Sequence, residues 1–265
     1  MELRASIDGV AILGPGLDGW QQSRRVLSGT IPYRSEPTMI PAATSLPAAE
    51  RRRTGRVVNM ALAVGFEAVA ATDTDPTKLR TVFASSGADN SNCHEICQTL
   101  ASADRQLSPT RFHNSVHNVT AGYWSIAARD MAASTMICAY DASFAAGLIE
   151  ALAQVVTARA DVLLIAYDME YPTPLREKRP IADSFAVALL LRPTPSSATV
   201  ASVVGSLETE PVEQLGIPEL ERLRRNVPAA RSLPLLAAIT SGQRRFTRLE
   251  YLEPYCLTLE VTPWR

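Results

Sequence analysis

Short apolar runs alternate along this chain with longer stretches in which apolar residues recur at three- and four-residue spacing. The first pattern reads as buried strand and the second as helix packed on one face. Val10–Leu13, inside DGVAILGPG, predicts a strand closed by the Gly14-Pro15-Gly16 turn. Residues 30–50, rich in Pro, Thr and Ala without a period, predict a long surface loop. Over 53–71, Val57, Met60, Ala61, Val64 and Ala68 fall at helical spacing, and TDTDPTK ends the run. LRTVFASSG (79–87) predicts a strand and 89–103 a short helix. After a loop containing Pro109, 114–131 predicts another helix. Residues 134–140 then predict a strand, 142–158 a helix and 161–167 a continuous apolar strand. SFAVALLLR and ATVASVVGSLE, each after a Pro-rich loop, predict two more strands. Helices near 218–225 and 232–239 and two strands in FTRLEYLEPYCLTLEVT complete the chain. Alternation of this kind predicts an α/β fold with a mixed, mainly parallel sheet covered on both faces. We expect one domain over 1–265, with a core at about 5–195 and a C-terminal extension of strands and helices at 196–265.

Composition agrees with a packed domain: 265 residues, 46% hydrophobic and 20% charged. A formal net charge of −1 gives no global field for nucleic acid or an anionic membrane. Four cysteines make no disulfide framework and imply a reducing compartment. MELRASIDGVAILG lacks the basic-then-apolar block of a signal peptide, and runs such as AVALLL are too short to span a membrane, so a soluble cytoplasmic protein is expected.

Candidate chemistry is sparse. Cys93, His94 and Cys97 form C-H-x-x-C on one predicted helix face, but no second Cys/His pair completes a zinc site. Buried thiols are the preferred reading, and neither metal nor cofactor is expected. His113 and His117 lie four apart in a polar helix entry with Asn114, Ser115 and Asn118; they are either structural or a base for a nucleophile elsewhere. ICAYDASFAAGLIEAL predicts a strand, a sharp turn and a small-residue helix. Asp141 at the apex reads as that helix's N-cap, accepting from Ser143 or Phe144 N–H. Ser143 as nucleophile is the alternative, without G-x-S-x-G around it. Two basic clusters, Arg51, Arg52, Arg53 with Arg56 and Arg222, Arg224, Arg225, are either solvated faces or a steering surface for an acidic partner.

The segment TRFHNSVHNVTAGYWSIAARDMAASTMICAYDASFAAGLIEALAQVVTARADVLLIAYD resembles the centre of a β-ketoacyl synthase N-terminal half, with its N-x-x-A-G-type helix, strand, nucleophile elbow and small-residue helix. DGVAILGPGLDGW is similar to that family's first strand and SFAVALLLRP to a later core strand, so the resemblance covers about 5–195. It implies a thiolase-like half fold, layered α-β-α. Within the family the chain resembles the short, chain-length-factor-like proteins found beside aryl polyene synthesis enzymes. On that alignment the active cysteine falls on Asp141, and Cys138 lies three residues earlier, where a packed strand side chain is expected. No histidine follows His117, so the family's two catalytic histidines have no counterpart.

The resemblance therefore implies a subunit with no catalytic residue of its own. It would pair as a heterodimer with a full-length β-ketoacyl-ACP synthase and serve an acyl carrier protein in polyketide- or fatty-acid-type elongation. Candidate pocket and interface residues are His113, His117, Asn118, Tyr123, Ile137, Cys138, Tyr140, Ser143 and Phe144. Carrier docking falls to Arg51, Arg52, Arg53 and Arg56. The competing expectation is an acyltransferase or thioesterase using Ser143 with His113 or His117.

Overall fold

The computed structural model describes residues 2–264. Its strands are β1 (Leu3–Gly14), β2 (Leu17–Asp18), β3 (Arg80–Ala84), β4 (Ser134–Ile137), β5 (Val162–Asp168), β6 (Phe185–Arg192), β7 (Ala201–Glu208), β8 (Arg245–Glu250) and β9 (Cys256–Pro263). The helices are α1 (Gly19–Leu27), α2 (Ala48–Arg51), α3 (Arg56–Ala70), α4 (Asn90–Ala101), α5 (Pro109–His113), α6 (Val119–Ala128), α7 (Ser143–Ala158), α8 (Leu175–Lys178), α9 (Pro218–Asn226) and α10 (Leu233–Thr240).

Among the described residues the strands form one sheet in the order β4-β3-β5-β6-β1-β7-β9-β8, with β2 paired to β1. Two apolar layers sandwich it. One is built on α3 and α6, the other on α1, α7, α9, α10 and the 3-10 turn Pro228–Ser232. The mixed α/β sandwich is the expected one, but the expectation of mainly parallel strands is corrected. Parallel ladders are confined to β4-β3-β5, and the remaining junctions are antiparallel. The reason lies in the crossover. A parallel return needs a helix of some length, and the segment between β5 and β6 supplies only the four-residue α8.

β5 and β6 are buried on both faces, which is why their sequences are unbroken apolar runs. β1 is far longer than predicted because its first half is polar yet buried. Asp8 is satisfied there by the hydroxyls of Ser196 and Thr199 and by Arg192. Two glycines permit close layers: a Cβ on Gly9 would stand 2.0 Å from Ala68 O, and one on Gly147 would stand 2.7 Å from Ala84 Cβ. Tyr140–Ala158 is long and apolar enough to cross a membrane, but half of that stretch is buried within the fold.

β4 ends at Ile137, short of the predicted Tyr140, because the chain turns there into the 3-10 segment Tyr140–Ala142 that leads into α7. It lies at the sheet edge. Ala133 and Ile137 carbonyls accept from Thr81 and Ser85 N–H, so alternate residues, Ser134 and Met136, point their backbone groups away from β3.

Candidate functional site: a clamped strand-to-helix turn

The parallel strands β3, β4 and β5 end together, and the turns that follow them gather the polar side chains. This is the end of an α/β sheet where sites form. After β4 the chain makes a strained elbow. Tyr140 holds φ +53, a left-handed backbone costly for an aromatic residue, and its ring stays exposed at 64%.

Asp141 stands at the apex but caps nothing. The N-cap of α7 is Ala142, with no side-chain cap bond, so the cap expectation is corrected. Two cations claim the carboxylate instead. Arg179 Nη2 donates to Oδ1 at 2.7 Å and Arg231 Nη2 lies 3.2 Å from Oδ2. The Arg179 guanidinium also stacks over the Tyr140 ring, 3.8 Å from its centroid, and so braces the strained residue.

From Arg231 the charges continue across the molecule. Its Nε is 4.0 Å from Glu250 Oε2 on β8; Glu250 pairs with Arg224, and Arg224 bonds Glu221 at 2.7 and 2.8 Å. The paired guanidinium of Arg224 pulls the Glu221 carboxyl down to about 2. Within the second basic cluster Arg224 is buried and belongs to this internal ladder, Arg225 bonds Glu221 at 2.6 Å from an exposed position, and Arg222 is exposed.

Asp168, at the end of β5, is buried beneath this turn. Its Oδ1 accepts from Ser86 N at 2.9 Å and Ser86 Oγ at 2.6 Å, and its Oδ2 accepts from Ala229 N at 2.8 Å. Burial pushes its carboxyl up to about 6, against these hydrogen bonds and the Arg179 charge.

The other predicted residues separate. Cys138 lies beyond β4 and is exposed, its thiol 3.6 Å from Ser86 O, so it does not pack as a strand residue. Ser143 is 2% exposed and both hydrogen-bonding roles are taken. It donates to Tyr140 O at 2.7 Å and accepts from Ala139 N at 3.0 Å, so its hydroxyl is engaged within the turn. Phe144 is core, not surface. Ile137 is half-buried against the α7 side.

His117 is half-buried beside the Ser85 backbone, and burial holds its imidazole below the ordinary value. His113 is exposed, edge-on to Tyr123 at 6.4 Å, and Asn118 is exposed at the start of α6. Tyr123 is buried, with its hydroxyl 3.4 Å from Asn114 Oδ1. Neither histidine bonds Ser143 or Asp141 among the described residues. Cys93 and Cys97 are exposed, which corrects the buried-thiol reading, and no metal-binding cluster occurs among the described residues.

Arg53 pairs with Glu50 and Arg56 with Glu170, while Arg51 and Arg52 are exposed. Arg179, Arg231, Glu250, Asp168 and Ser86 were not anticipated. The basic loop EYPTPLREKRP carried the one sequence signal for them, a cationic run directly after the β5 strand.

Residues 20–251 match the family model described as the β-ketoacyl synthase N-terminal domain, and the chain belongs to that family. No curated protein matches the sequence. A chain of the ketosynthase ApeO in complex with its chain length factor ApeC, from Xenorhabdus doucetiae, is 23% identical. It superposes with a TM-score of 0.70 over 97% of this chain and 98% of that one. A chain of AntDE:AntF, a type II polyketide acyl-carrier protein in complex with its ketosynthase, is 10% identical with a TM-score of 0.73 over 100% of both. A chain of the ishigamide ketosynthase/chain length factor is 11% identical with a TM-score of 0.67 over 98% and 99%. Of a β-ketoacyl synthase from Burkholderia phymatum the chain spans 71%, at a TM-score of 0.59. These identities speak to the fold.

The clamp and the buried acid each have a measurable consequence. In a double-mutant cycle of Asp141→Ala and Arg179→Ala, chemical denaturation gives a favourable coupling of about 1 kcal/mol. A coupling indistinguishable from zero would reduce the clamp to an energetically neutral surface pair.

For Asp168, the folded carboxyl holds its proton to about pH 6 while the unfolded one releases it near 3.8. The unfolded state binds fewer protons in that window, so stability falls as pH rises from about 4 to about 6, by on the order of 3 kcal/mol. Asp168→Asn removes this slope relative to wild type. Parallel stability curves for the two proteins across the window would refute it.

Proposed function

We propose that this member of the β-ketoacyl synthase family is a non-catalytic, chain-length-factor-like subunit. Its partner is an active β-ketoacyl-ACP synthase, and the pair works in cytoplasmic, aryl-polyene-type chain elongation on an acyl carrier protein. The observation that carries the reading is the carboxylate of Asp141, held between Arg179 and Arg231 at the apex of the elbow. Condensation needs a thiolate to accept the acyl group and donors aimed at the developing oxyanion. A carboxylate already neutralised by two guanidiniums offers neither. The competing enzyme reading requires Ser143, whose hydroxyl is spent on the turn itself.

Likeness of fold to chains of the two ketosynthase/chain length factor structures and of the ketosynthase–carrier-protein structure supports the same reading. The ketosynthases and the carrier protein in those structures are partners of other chains; they identify the class of partner proposed here.

The partner sits against β4. This edge has outward-facing N–H groups, no proline, and the exposed Met131 and Tyr140 at its two ends. Left open, such an edge invites aggregation, and a second strand satisfies it. Met136→Pro deletes an outward donor and leaves the ladder to β3 intact, unlike a proline at Ile137. The Met136→Pro chain is expected to remain folded by circular dichroism. It should lose at least about tenfold in affinity for a co-expressed ketosynthase from the same genome. A wild-type chain that never associates with the ketosynthase sinks the function, and unchanged affinity of the variant sinks the location.

Arg51 and Arg52, exposed beside the partly engaged Arg53 and Arg56, supply the docking charge for the acidic carrier protein. Reversing both to Glu slows association roughly tenfold at low salt and flattens its salt dependence. Identical rates across the salt series would retire this docking surface.

A further inference from the structure

Helix α6 carries a glycine that nothing within the chain requires. Gly122 lies inside Val119–Ala128 with helical backbone, its N–H donating to Asn118 O at 3.1 Å. A Cβ built on it meets nothing within 4 Å. The contrast with Gly65 on α3 is plain, since a Cβ there would strike Trp124 and Ile165 below 3 Å. Glycine weakens a helix interior, so a position free of both turn and close approach gains nothing from it internally.

The space beside Gly122 is an open cavity of about 220 Å³, walled by His113, Val116, Asn118, Val119, Tyr123 and Ile126. Val116 and Ile126 on its rim are large apolar side chains left half in water. The helix packs over β3 and β4, so the cavity opens on the flank of the sheet that ends in the free edge.

We infer that the Gly122 cavity is a socket for one aromatic side chain of the partner ketosynthase. The inference rests on the partner reading above and adds the residue that the interface turns on. The volume admits such an occupant, since a cavity of about 150 Å³ already holds a benzene ring and this one measures about 220 Å³. The walls are largely apolar, and the exposed His113 and Asn118 at the mouth are placed to meet a polar ring edge. The socket is open on its outer side. An acyl chain lying there would keep that side in water, whereas a protein knob brings its own cover over Val116 and Ile126. An aromatic anchor in a pocket with an apolar rim is the usual form of an interface hot spot. A ketosynthase is favoured over a second copy because the solved structures that match this chain include ketosynthases held with their chain length factors.

Filling the socket from within tests the idea, because the substitutions favour the helix. Gly122→Ala and Gly122→Leu are both expected to melt at or above the wild-type temperature. Affinity for the co-expressed full-length ketosynthase should stay within about threefold for Ala and fall by more than about tenfold for Leu. A Leu variant that binds like a binding-competent wild type overturns the socket and leaves the partner reading standing. A wild type that does not bind ketosynthase removes that reading and the socket with it. A wild-type homodimer that Gly122→Leu abolishes assigns the socket to a second copy and overturns the ketosynthase assignment. Destabilisation by Ala would mean that the glycine is required internally, which also overturns the inference.

Discussion

The carboxylate of Asp141 is the charge around which this molecule's functional end is arranged. It sits at the top of a strand-to-helix turn whose preceding residue is strained, and its side chain is 37% exposed to water. Two arginines from distant parts of the chain converge on it, and one of them stacks on the strained tyrosine. Each contact supports the next. Without the carboxylate, Arg179 loses the partner that sets its position over Tyr140. Without Arg179, a bulky residue in a left-handed conformation loses its brace. The turn is thus held by ion pairs inside the chain.

The clamp also explains why the last third of the chain matters to a site built by the middle third. Arg231, Glu250, Arg224 and Glu221 lie on the 3-10 turn, β8 and α9, and they carry alternating charge from the elbow along one face of the sheet towards its β8 edge. Glu221 and Arg224 are buried, so their pairing is a geometric commitment: loss of either leaves the other a buried charge with only its second charged partner, Arg225 for Glu221 and Glu250 for Arg224. β7 and β9 extend the sheet beyond β1, which places β8 and its Glu250 where the ladder needs them.

Much of the fold was legible because buried strands and packed helices leave period and composition in the sequence. The ranges of α3, α7, β5 and β6 follow directly from apolar spacing and differ from expectation by little at their ends. What misled was polarity inside the core and distance along the chain. Asp8 and Ser6 made the first half of β1 look like loop, since the groups that satisfy Asp8 lie 184 to 191 residues away. α1 escaped notice because only Ser23 and Val26 are buried on it. Strand direction failed for a different reason: alternating strand and helix implies parallel strands only when a crossover helix of sufficient length intervenes. The elbow itself was visible in ICAYDASF, and the role of its aspartate was not. A cap needs only neighbours, which sequence displays; a clamp needs Arg179 and Arg231, which only the fold delivers.

One consequence of the clamp concerns what the elbow presents outward. Both oxygens of Asp141 face guanidiniums, Ser143 is folded into the turn, and Asp168 is buried with three donors around it. The carboxylates and the hydroxyl of this elbow are thus satisfied from within, whereas His117 Nε2 and Asn90 Nδ2 nearby are buried without a hydrogen-bond partner among the described residues. Facing out are the Tyr140 ring, Cys138, His113, the unpaired backbone of β4 and the apolar residues along α5 and α6. Paired charge beside an open strand edge and exposed apolar residues supports the association proposed above.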